Sequence, residues 1–147
     1  MKKTIFTILC IVTIMPLFIG CNVSTNISYE AYERLISNLE NMGYVVEVED
    51  VEKSILKGER KWLTLNGSDN ISVYLYESNH KMEKDASYIS DDGYVYNDGK
   101  KSTIIEWISY PHFFKSENMI VLYVGEDREI VRALEKLVGP QFAGKME

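Results

Sequence analysis

The chain has 147 residues, room for one ordinary domain and no more. Hydrophobic residues make up 46% and charged residues 26%, the balance of a globular protein and not of a disordered tail. The formal net charge is −6; Lys2 and Lys3 precede Cys21, so the remainder carries 14 basic against 22 acidic residues, which disfavours nucleic acid and argues against docking by charge on an anionic membrane.

Met1-Lys2-Lys3 gives the chain a positive start, and Ile5 to Ile19 is apolar apart from small hydroxyls, Cys10 and Pro16. As a helix that run spans about 22 Å. A bilayer core is about 30 Å thick, so the stretch is short for a spanning helix and suits the apolar region of a signal peptide. Pro16 breaks the helix near its end. Leu17-Phe18-Ile19-Gly20-Cys21 then resembles the lipobox of bacterial lipoproteins, although Phe18 and Ile19 depart from its commonest form. The resemblance implies removal of residues 1–20 by cleavage between Gly20 and Cys21. It also implies a thioether-linked diacylglycerol on Cys21, whose two acyl chains anchor stably where one would not. An ordinary secretory cleavage and an uncleaved anchor helix are the alternatives. Both cysteines lie in this region, so no disulfide framework can staple the rest of the chain.

Residues 21–27 read as a short tether beginning at the lipidated Cys21, with Asn22 to Ile27 reaching at most about 20 Å. Residues 28–147 read as a single domain. Ser28 can cap a helix in which Tyr29, Tyr32, Leu35, Ile36, Leu39 and Met42 recur at helical spacing, with Gly43 ending it. Tyr44 to Val48 reads as a strand. Trp62 to Leu65 and Ile71 to Tyr76 form two more, joined by a turn at Asn66-Gly67, with Leu63, Leu65, Ile71, Val73 and Leu75 facing a core. Ser78 caps a second helix, placed on the surface because Met82, Ala86 and Ile89 make only a thin stripe. Ser90 to Ser102 is a polar loop. Thr103 to Ser109, His112 to Lys115 and Met119 to Val124 look like three further strands. Tyr110-Pro111 interrupts the first pair, and Ser116-Glu117-Asn118 turns the second. Met119 to Val124 is apolar on both faces and belongs centrally in the sheet. Glu126-Asp127 opens a last helix through Ile130, Val131, Leu134, Leu137 and Val138, stopped by Gly139-Pro140. This order predicts an α+β, two-layer fold. A mostly antiparallel sheet of about five to six strands would carry about three helices packed on one face.

The chemistry is sparse. His80 and His112 stand far apart, no cysteine follows Cys21, and zinc wants clustered nitrogen and sulfur ligands. Asp91-Asp92-Gly93 and Asp98-Gly99 miss the spacing of a calcium loop and read as acidic turns. No metal and no cofactor is expected. There is no G-x-S-x-G and no glycine-rich phosphate cradle. Glu126, Asp127 and Glu129 would repel a phosphate at the start of the last helix. One segment stands out: Trp107, Tyr110, Pro111, His112, Phe113 and Phe114 gather rings and a proline within eight residues. Aromatic residues are enriched at binding surfaces, yet the same rings could simply fill the core of a small domain. Gly93 to Gly99 has the look of one hairpin of a cell-wall-binding repeat. A single copy without its tryptophan pair reads as an ordinary loop.

Leu65-Asn66-Gly67, Val73 to Tyr76, Asp91-Asp92-Gly93, Trp107 to Phe113, Ile120 to Gly125 and Leu137 to Gly144 together resemble a family of small, uncharacterised bacterial lipoproteins. Its most specific pieces here are Pro111-His112-Phe113 and Gly139-Pro140-Gln141-Phe142-Ala143-Gly144. The likeness implies an exported, lipid-anchored domain and supplies no activity, substrate or catalytic residue to carry over; the expected location is the extracytoplasmic face of the cell membrane. The expectation is a non-catalytic binding or accessory module using the Trp107–Phe114 segment. The alternatives are a cell-envelope hydrolase with His112 as base and a regulator of a neighbouring transporter or sensor. Solvent exposure of Trp107, Tyr110 and His112 discriminates among them.

Overall fold

The structure, a computed structural model, describes residues 23–145. The expected signal peptide, the cleavage point at Gly20 and the acylated Cys21 lie outside the described residues. The first helix, α1 (Val23–Asn41), starts ahead of Ser28 and takes in Val23 to Ile27, which the tether was expected to hold. The reason is local: neither glycine nor proline occurs between Cys21 and Tyr29, so nothing halts the helix as it extends backwards. Its other end is as expected. Gly43 adopts φ 98°, the Tyr44 N–H donates to Leu39 O at 3.1 Å and the Gly43 N–H to Glu40 O at 2.9 Å, which together close a Schellman motif. Ala31, Tyr32, Leu35 and Leu39 are buried, whereas Met42, at the end of the expected stripe, is exposed.

The strands β1 (Val46–Asp50), β2 (Glu59–Leu65) and β3 (Asp69–Leu75) come next. After them come α2 (Asn79–Ala86), β4 (Val95–Asn97), β5 (Ser102–Ile104), β6 (Pro111–Ser116), β7 (Met119–Val124), α3 (Arg128–Leu137) and β8 (Gln141–Gly144). Six strands form one sheet in the order β1-β2-β3-β7-β6-β8, antiparallel at every pairing; β4 and β5 form a separate hairpin. The fold is α+β, with three helices and a six-stranded antiparallel sheet. Asn66 (φ 51°) and Gly67 (φ 72°) supply the consecutive left-handed residues that turn β2 into β3. Central placement of β7, between β3 and β6, matches its two apolar faces.

Period-2 alternation divides the apolar residues between two cores. Leu63, Leu65, Ile71, Val73, Phe114, Val121 and Tyr123 point to one face, under α1 and α3. Tyr74, Phe113, Ile120, Leu122 and Ala143 point to the other, under Leu56, Met82 and Ala86 of α2, and Tyr96 of β4. The stripe of α2 is therefore buried: Met82 and Ala86 close the second face of the sheet. Each fully enclosed leucine, isoleucine or phenylalanine contributes about 1.5–3 kcal/mol of apolar transfer free energy, so both faces matter to stability.

Three further departures have simple causes. Residues 90–102 are not one loop, because Val95–Asn97 pairs with Ser102–Ile104. Only the start of the expected Thr103–Ser109 strand is in a ladder. After Ile105, whose N–H reaches Tyr94 O at 2.8 Å, the short β4 offers no more partners. Exposure nevertheless continues to alternate, with Ile104, Ile108 and Tyr110 outward and Ile105 and Trp107 inward. Finally, Gln141 to Gly144 forms an edge strand on β6. Gly144, at φ 101°, passes so close to Pro111 that a Cβ there would lie 2.0 Å from Pro111 O.

Candidate functional site

The aromatic segment does not make one surface. Phe113 and Phe114 are consecutive residues of β6, so they point to opposite faces and enter different cores. Trp107 is half-buried against Phe113, with ring centroids 6.0 Å apart, and its indole N–H donates to Gly93 O at 2.9 Å. Pro111 is buried as the first residue of β6, a position where the missing N–H costs no ladder bond. Tyr110 is exposed, with the Lys145 ammonium 3.6 Å from its ring centroid. The six residues predicted as a binding surface are therefore largely core: Tyr110 is exposed, Trp107 is half-buried and the other four are buried.

His112 is 3% exposed and stacks on Tyr123. Gln141 commits its Nε2 to Ala143 O and Lys145 O, so its Oε1 faces the ring, 2.8 Å from His112 Nδ1. Nδ1–H is then the donor. Nε2 lies 3.2 Å from Gly125 O. A recess of about 400 Å³ has His112 in its wall beside Tyr110, Glu126, Arg128 and Lys145. Both ring nitrogens nevertheless face protein acceptors and not that space.

A larger cleft of about 540 Å³ opens between the Lys53–Glu59 segment and α2. Its floor is Asp85, which is 2% exposed. The carboxylate accepts from Tyr96 O–H at 2.6 Å, from Tyr76 O–H at 2.7 Å and from the Lys57 backbone N–H at 2.7 Å. Four segments thus converge on one buried charge, with three donors arranged around its two oxygens. Burial first, and the Asp85 carboxylate second, push the Tyr76 and Tyr96 hydroxyls well above the ordinary tyrosine range. Gly58 is needed at the rim because a Cβ there would lie 2.9 Å from the Tyr76 ring.

Lys53, Lys57, Lys81 and Lys84 surround the cleft, with Tyr29 and Tyr88 completing its wall. The Lys57 ammonium lies 5.2 Å from the Tyr88 ring centroid and 3.7 Å from an Asp98 oxygen. Lys81 pairs with Glu77, which lies just ahead of the Ser78 cap of α2. Glu59 is engaged elsewhere, accepting from Tyr29 O–H at 2.9 Å and pairing with Lys61 at 2.8 Å. The Lys61 hydrogen bond holds the Glu59 carboxyl below its usual range, while Asp50 and Glu59 raise the Lys61 ammonium in turn. Among the described residues, no three histidine, cysteine, aspartate or glutamate side chains gather as a metal ion would require.

No protein-family model, no curated protein and no solved structure matches this chain. The chemistry of the cleft therefore rests on its own residues. Sequence reasoning missed Asp85, which looks like one more solvated residue of a charged helix. A weak signal was present: Asp85 sits between Met82 and Ala86 on the stripe of α2, and Tyr76 and Tyr96 both occupy inward positions of nearby segments.

Proposed function

We propose that this chain is a bacterial lipoprotein, held on the extracytoplasmic face of the cell membrane by a diacylglycerol on Cys21. Its α+β domain serves as a non-catalytic binding module, with the α2 cleft as its binding surface. One observation carries the anchored reading: an apolar run too short to span a bilayer ends in Gly20-Cys21, two residues before α1 begins. No helix among the described residues is long and apolar enough to cross a membrane. The cleft supports the binding role because it is roomier than the recess beside His112, and its floor is rigidly hydrogen-bonded. A hydrolase built on His112 draws no support from a ring enclosed by Tyr123, Gln141 and Gly125.

Mass spectrometry of the mature chain tests the anchor. The expected product begins at Cys21 and carries acyl chains on its sulfur, and Cys21→Ala moves the protein from the membrane pellet. A bare Cys21 thiol, or membrane retention of Cys21→Ala, overturns the reading.

A further inference from the structure

We infer that the lysine-rimmed cleft is the membrane-facing end of the domain and docks anionic phospholipid headgroups. This rests on the anchored reading above and adds the ligand and the orientation. The chain enters the domain close to the cleft. Cys21 is two residues from Val23, at most about 7 Å. From Val23 to Tyr29, α1 advances about 9 Å. Tyr29 bonds to Glu59 and lines the cleft, so the cleft mouth lies within reach of the headgroup layer that an acylated Cys21 would occupy. The start of α1, the first residues of β2, the end of β3, the β6–β7 turn and the N-terminal cap of α2 share this end of the sheet. Glu59 pairs with Leu75, Leu75 pairs with Met119, and Arg34 of α1 reaches Glu117.

Charge then selects the ligand. The body of the protein is acidic, but the acids that line this cleft are already committed. Asp85 keeps its charge but is buried beneath the rim, where two hydroxyls and an amide hold it, Glu59 is held by Tyr29 and Lys61, and Glu77 is paired with Lys81. Among the described residues Lys53 and Lys84 form no ion pair, and Lys57 touches Asp98 only at 3.7 Å. Among the lining residues four lysines stand against three carboxylates, one of them buried, so the rim carries a small positive excess on an otherwise acidic molecule, at the end where the proposed anchor would bring lipid phosphates. Lysines within a Debye length of an anionic surface are drawn to it individually, whatever the charge on the far side of the domain. The overall surplus of acid, which argues against charge docking when read as a sum, therefore does not govern this end.

Amine footprinting of the full chain, purified with its acyl anchor and reconstituted into vesicles, tests the inference. Phosphatidylglycerol vesicles are compared with phosphatidylcholine vesicles, and each lysine is read by mass spectrometry. Lys53, Lys57, Lys81 and Lys84 are expected to react about threefold or more slowly in phosphatidylglycerol, with protection fading as salt is raised. Lys145, beside Tyr110 at the opposite end of the sheet, is expected to react equally in both. The double variant Lys57→Glu/Lys84→Glu, which alters only the rim, is expected to release Lys53 and Lys81 from protection. Equal reactivity of the four rim lysines in both vesicles, with Cys21 acylated in the same spectra, overturns the docking and leaves the anchored reading intact. Equal protection by soluble glycerol phosphate also overturns it, in favour of a free anion as ligand. A bare Cys21 overturns the anchored reading, and with it the orientation.

Discussion

The Asp85 network makes a quantitative prediction. Hydrogen bonds to a charged acceptor contribute about 1.5–3 kcal/mol each, and leaving a buried donor unpaired costs about 1–3 kcal/mol. Three donors at 2.6–2.7 Å would set a large sum, but the cleft adjoins the carboxylate and lets water rescue some of them. Asp85→Ala is therefore expected to cost about 3–5 kcal/mol, a large share of the roughly 5–15 kcal/mol that holds a typical domain folded. Asp85→Asn keeps the shape and can accept from some of the donors, so about 1–2 kcal/mol is expected. Tyr76→Phe and Tyr96→Phe each remove one bond and should fall in the same range. Urea titrations of the full chain, followed by tryptophan fluorescence, give these differences provided the slope m is unchanged. Replacing a buried charge can be neutral or even stabilising when the replacement packs well. Asp85→Asn with an unchanged or raised midpoint, together with two neutral phenylalanine variants, would refute the idea that this carboxylate ties the far face together.

Three other outcomes are expected from the same structure. Gly144→Ala combines a left-handed backbone with a Cβ 2.0 Å from Pro111 O, so it should detach β8 and cost at least about 2 kcal/mol, read as loss of amide protection at Phe113 and Ala143. His112→Ala loses the Tyr123 stack and the Gln141 bond, lowering stability by about 2–3 kcal/mol; a His112→Ala chain that stays fully stable contradicts its placement in the core. Above about pH 10 the unfolded chain releases tyrosine protons that the folded chain retains, because burial pushes Tyr123 up to about 12. The folded state then binds more protons than the unfolded one, so stability falls from pH 10 towards 12. Urea midpoints measured across that range should decline, and Tyr123→Phe should make the decline shallower.

The elements visible in the sequence are those whose reasons are local. Leu63, Leu65, Ile71, Val73 and Leu75 alternate across an Asn-Gly turn, and Asp127 and Gly139 bracket α3, so these pieces need no knowledge of their neighbours. Asp85 is the opposite case, since its burial depends on tyrosines delivered by β3 and β4 and on the backbone at Lys57. The β8 strand was hidden for a similar reason: Gln141 to Gly144 is too short to carry a pattern and exists only because β6 offers it an edge. The Trp107–Phe114 segment misled through composition. In an extended chain, adjacent rings must face opposite ways, so Phe113 and Phe114 cannot share a surface however aromatic the stretch looks. The early start of α1 reflects an absence of breakers, which propensity alone ranks too weakly to place.

Ile108 is fully exposed, and it lies between Trp107, tied to Gly93, and Tyr110, whose carbonyl accepts from Gly125 at the end of β7. That is the opposite end of the sheet from the first turns of α1, separated by the length of β7, about 17 Å. If the chain is anchored as proposed, a dye or affinity handle at position 108 would ride at the end of the sheet away from the anchor. Its height above the bilayer, measured by energy transfer to labelled lipid, would act as a ruler for whether the domain stands upright or lies down.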